Sequence, residues 1–134
     1  MKLYETLNLK RWWSLVICFY LFSVFATGLM PIHSEVPEQI NIAHLDKVVH
    51  FITHFILLFL LHQLLNYKPL VLVCFGLFVG SIIEVLQIPL ATRGFDYYDI
   101  LANTAGTLSG FVASLTFLKG ILSSIDHKLT QALK

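Results

Sequence analysis

The chain is 134 residues long, 57% of them hydrophobic and 13% charged, with a mean hydropathy of +0.76. That composition excludes an ordinary soluble domain, because the apolar residues gather in long runs and do not alternate with polar ones. A net charge of +1 gives no electrostatic case for nucleic acid, and the length suits one compact domain.

Lys2, Lys10 and Arg11 open the chain, and Trp12 with Trp13 mark an anchor at headgroup level. A first span is predicted over residues 12–30, a run without charge that comes close to the ~20 residues a bilayer requires. Pro31 ends it. The alternative for this segment is a signal peptide cut after Ala26-Thr27-Gly28; the long apolar run, with no polar region before the cut, favours the span. Residues 33–46 form the longest connection, in which Val36, Ile40, Ala43 and Leu45 are scattered interfacial anchors. A second span runs over residues 48–65, and the short turn Asn66-Tyr67-Lys68-Pro69 sends a third back antiparallel over 70–88, ended by Pro89. A loop around Arg93-Gly94 leads to a fourth span over 100–122, followed by a short tail with Asp126, Lys128 and Lys134. Cys18 and Cys74 lie inside apolar runs and read as small packing residues.

With four spans the termini share a side. That side and the Lys68 turn collect Lys2, Lys10, Arg11, Lys68, Lys119, Lys128 and Lys134, against Lys47 and Arg93 on the other. The positive-inside rule then makes both termini cytoplasmic and turns the 33–47 and 89–99 loops outward.

Polar residues crowd that outer end. Asp46, His50 and His54 follow one another at intervals of four, Glu84 and Gln87 are three apart, and Asp96, Asp99 and Asn103 share one face entering the fourth span. Charged groups inside spans cost at least about 2.5–3.5 kcal/mol on insertion scales, so a functional site is the default reading of such a concentration. The plain alternatives are a network in which Glu84 pairs with Arg93, Lys47 or a histidine and locks the helices, and an N-cap role for Asp96 or Asp99. His50 and Glu84 suit proton handling, while Lys47 and Arg93 suit a phosphate at headgroup level. Asp46, Gln87, Asp96, Asp99 and Asn103 complete the expected ligand-binding set.

No resident cofactor is expected. A metal held by His50, His54 and Glu84, or with Asp46, is the sharper alternative, and it is weakly supported because no HExxH occurs. Nucleophilic catalysis lacks a cysteine at the pocket or an evident setting for Ser81 and Thr53. Ala102, Gly106, Gly110 and Ser114 recur every four residues, and Gly76 with Gly80 does the same, which predicts close internal packing first and homo-oligomerisation second.

Asp46-Lys47-x-x-His50-Phe51, Ile83-Glu84-x-x-Gln87, Arg93, Asp96, Asp99-Ile-Leu-Ala-Asn103-Thr-x-Gly106 and Gly110 together resemble the VanZ-like family of small bacterial membrane proteins. The resemblance covers about residues 12–118, and departs at His54, where the family carries an aromatic such as tyrosine. It implies a bacterial cytoplasmic-membrane location and an envelope-related role, without implying the glycopeptide resistance after which the family is named. The expected architecture is therefore an all-α bundle of four transmembrane helices with an outward-facing polar pocket. The expected partner is an anionic lipid or lipid-linked envelope intermediate, recognised or modified; the alternative is an accessory protein whose partner is another membrane protein.

Overall fold

The computed structural model describes residues 7–29, 45–65, 67–90, 96–116 and 118–133. Among these residues there are five α-helices and no strand: α1 (Lys10–Leu29), α2 (Leu45–Leu64), α3 (Pro69–Gln87), α4 (Tyr97–Leu115) and α5 (Ile121–Ala132). The first three are long and apolar enough to cross a membrane. Residues 30–44 and 91–95, and with them Arg93 and most of the two connections predicted to face outward, lie outside the described residues.

Local chemistry accounts for the helix ends. Lys68 is extended, at φ −60° and ψ 134°, and Pro69 at the first helical position fixes the φ that starts α3 while needing no hydrogen bond of its own. At the other end Pro89 cannot donate, and the helix tightens into a 3-10 turn over Ile88–Leu90. Asp96 caps α4: its carboxylate accepts from the Tyr98 amide at 2.8 Å.

The second half of the predicted fourth span requires correction. Instead of one helix over 100–122, α4 stops at Leu115, and Gly120, at φ 77°, turns the chain into the separate helix α5. Apolar residues continue across this break as Leu118, Ile121 and Leu122, so hydropathy alone runs the two helices together. Only a residue without a Cβ adopts that left-handed conformation at little cost.

The core is built chiefly by Leu57, Leu58, Leu61 and Leu64 of α2 against Leu72, Val79 and Ile83 of α3, with Ile17 and Val24 of α1. α2 and α4 pack most closely. A Cβ on Gly106 would run into the Phe51 carbonyl and one on Gly110 into the Phe55 carbonyl, so the glycines let the two backbones touch. Gly76 likewise admits Leu58 and Thr107. Gly106 and Gly110 of the four-residue ladder are thus spent on internal contacts. Outward faces are apolar: Trp12, Phe19 and Phe22 on α1, Leu70 and Phe78 on α3, and Leu101 and Val112 on α4 are exposed.

Candidate functional site

The first turns of α2, the last turns of α3 and the first turns of α4 bring their polar residues together. His50, Glu84, Asp99 and Asn103 are buried, Glu84 completely. His50 stands at the centre. Its Nδ1 lies 3.0 Å from Asn103 Oδ1 and 3.8 Å from Glu84 Oε1, and its Nε2 lies 3.6 Å from Asp99 Oδ2. The first distance is a hydrogen bond; the other two are longer than one. Since an amide oxygen only accepts, Nδ1 carries the proton and Nε2 keeps its lone pair in neutral His50.

Lys47 organises the rim of this cluster. Its ammonium donates to Asp46 at 2.8 Å, Asp96 at 2.6 Å and Asp99 at 2.9 Å. Asp99 therefore divides its oxygens, Oδ1 to Lys47 and Oδ2 toward His50. The hydrogen bond from Lys47, helped by the one from the Tyr98 amide, holds the Asp96 carboxyl below its ordinary pKa. The cation expected to grip an anion is thus surrounded by carboxylates of the same chain, and any anion reaching it has to compete with them.

Two expected residues sit apart from the cluster. Gln87 is buried, and its side-chain amide donates to the Gly28 carbonyl at 2.6 Å, tying α3 to the end of α1. His54 bonds the His50 carbonyl through Nδ1 at 3.2 Å, while its Nε2 is buried beside Gly80 with no hydrogen-bond partner among the described residues. Asn103 Nδ2, also unpartnered, flanks the same glycine. Among the described residues, one grouping whose possible ligand atoms lie within 4.8 Å of one another is His50, Glu84 and Asp99, without His54. A second grouping, Asp46, Asp96 and Asp99, already surrounds a cation, the Lys47 ammonium.

Sequence reasoning missed a second polar centre at the opposite end of the molecule. Asp126 of α5 is fully buried and accepts from the Asn8 amide at 2.6 Å, the Leu9 amide at 3.0 Å and the Trp13 indole at 2.9 Å. Burial pushes its carboxyl up, but these three donors outweigh it and hold the group below its ordinary pKa. More than a hundred residues separate the partners in sequence, and no local spacing announces them. Nearby, Gln63 donates to the Leu118 carbonyl at 2.6 Å, and Ser114 Oγ lies 2.8 Å from His62 Nδ1. These contacts read as fastenings of the tail and of α2 to α4.

Comparison with curated proteins found no match, and neither did comparison with solved structures. The family model described as VanZ/LLP1 matches residues 3–119, a stretch that includes every member of the polar cluster and the glycines beneath it. That extent of match, over three apolar helices long enough to span and one buried polar centre, shows that the chain belongs to the VanZ/LLP1 family.

Proposed function

We propose that this chain is a single-domain membrane protein whose polar centre recognises the phosphate-bearing head of an anionic lipid or lipid-linked envelope intermediate at the outer leaflet, and handles a proton there. The observation that carries the proposal is the burial of His50, Glu84, Asp99 and Asn103 at one end of the helices, where helix packing alone does not call for them. α4 serves as the fourth span. Its 19 residues reach about 28 Å at 1.5 Å per residue. It turns Asp99, Asn103, Gly106 and Thr107 inward and Leu101, Leu108 and Val112 outward. Both termini are then cytoplasmic, consistent with the basic residues at that end of the sequence.

In this reading Arg93 meets the anion, and Lys47 holds Asp46, Asp96 and Asp99 in place while adding positive charge to the rim. His50 and Glu84 move the proton, and Asn103 orients the imidazole. A second reading, an accessory protein locked by the same network and docking on a membrane-protein partner, draws support from the saturation of Lys47 by three carboxylates. Native mass spectrometry of gently purified protein separates the two. The lipid reading expects a phosphate-bearing lipid on the wild type that is lost from folded Arg93→Ala; identical lipid profiles in both proteins would move the search to a protein partner.

A further inference from the structure

We infer that His50, Glu84 and Asp99 form a binding site for a first-row divalent cation, of which zinc is the natural probe. The three donors come from α2, α3 and α4, all are buried, and they offer ligand atoms within 4.8 Å of one another.

The orientation of His50 points to a cation. In neutral His50 the proton sits on Nδ1, shared with Asn103 Oδ1, and the lone pair of Nε2 faces Asp99 Oδ2 at 3.6 Å, while Glu84 Oε1 lies by the Nδ1 edge at 3.8 Å and has to swing toward Nε2 to share an ion there. Two acceptors confront each other there in a buried setting, at a distance too long for a direct hydrogen bond. Two ligands that each sit ~2.0–2.1 Å from one zinc ion stand about 3–4 Å apart, so the observed gap is of the right size. Asn103 supplies the outer contact that metal-binding histidines use: an oxygen acceptor on the far ring nitrogen, which fixes the tautomer and the ring plane. Lys47 does the same for Asp99, taking Oδ1 and leaving Oδ2 toward the site. One imidazole with two carboxylates is a borderline donor set, suited to zinc or manganese more than to copper(I) or to magnesium.

The assignment stands on donor geometry and does not require the lipid reading. If both hold, His50 and Glu84 hold the ion instead of moving a proton, and the ion adds the positive charge facing a phosphate that Lys47, engaged by three carboxylates, offers only weakly; that consequence alone rests on the proposed function.

The test uses full-length, tag-free protein in detergent, dialysed against buffered free zinc, with metal per chain measured by mass spectrometry. The wild type is expected to retain about one zinc per chain, bound tetrahedrally by its three residues and a solvent oxygen. Asp99→Asn and Glu84→Gln are expected to lose it, His54→Ala to keep it, and Asn103→Ala to bind about 10–100-fold more weakly. X-ray absorption at the zinc edge of the wild type guards against variants that fail to fold, and should show one imidazole with oxygen ligands. Retention by Asp99→Asn equal to the wild type, no retention by the wild type, or a zinc shell containing two imidazoles would each overturn the assignment.

Discussion

Single side chains in this protein do more than one task, and Asp99 shows it best. One oxygen belongs to the Lys47 ion cluster and the other faces His50, so neutralising it disturbs both. Asp99→Asn is expected to cost about 1–3 kcal/mol, the usual penalty when a buried polar group loses its partner, read as a lower unfolding temperature in detergent. Asp96 behaves differently because it is a cap at the rim. Its folded pKa lies below the ordinary carboxyl value, so its contribution is complete above that value and is lost as the pH falls through the lowered one. Unfolding temperature followed into acid should therefore drop less steeply for Asp96→Asn than for the wild type; parallel curves would remove Asp96 from the ion cluster. His50, Glu84, Asp99 and Asn103 were legible as a constellation because three- and four-residue spacings put them on single helix faces. The saturation of Lys47 was not, since two of its three partners lie about fifty residues away across a connection whose path the sequence does not reveal.

Between helices, glycine decides how near two backbones come. On Gly106 an added methyl runs into the Phe51 carbonyl, which is backbone and cannot rotate aside, whereas on Gly80 it meets Asn103 Cβ and His54 Nε2 at 3.0 Å and Asn103 Nδ2 at 3.2 Å, a much shallower overlap. Gly106→Ala is accordingly expected to destabilise by about 1–3 kcal/mol, as overpacking does, and Gly80→Ala by less, both measured by thermal unfolding. The reverse order would contradict the α2–α4 contact described here. The periodic small residues made this packing visible in advance. The break between α4 and α5 was not visible, because it depends on one left-handed glycine inside an apolar stretch. α5 makes its own prediction through Asp126. Because its folded pKa is lowered, the attachment of α5 to Asn8, Leu9 and Trp13 is complete above the ordinary carboxyl value and weakens as the pH falls through the lowered one. Asp126→Ala should reproduce that release at neutral pH, seen as a change in the emission of Trp13; unchanged emission would mean the tail is held by other contacts.

Across the whole molecule, polar chemistry is divided between the two ends. His50, Glu84, Asp99 and the Lys47 cluster stand at one, while the Asp126 fastening and most of the basic residues stand at the other. If the cluster faces outward, a cysteine introduced at Lys68 or Ser124, in a background lacking Cys18 and Cys74, should react with a membrane-impermeant maleimide only after the cytoplasmic face is opened. The membrane setting followed from composition and run length, as hydropathy allows, because lipid demands apolar exteriors over whole spans. The centre itself draws its side chains from three helices, an assembly that periodicity on any one of them does not encode. The central claim is that this centre acts on a ligand and does more than fasten helices. Its most direct test is the amount of phosphate-bearing lipid retained by Arg93→Ala relative to the wild type, measured by native mass spectrometry at a temperature where both are folded. The account predicts a folded variant whose retained lipid falls sharply; a folded variant that keeps the wild-type lipid complement would contradict it.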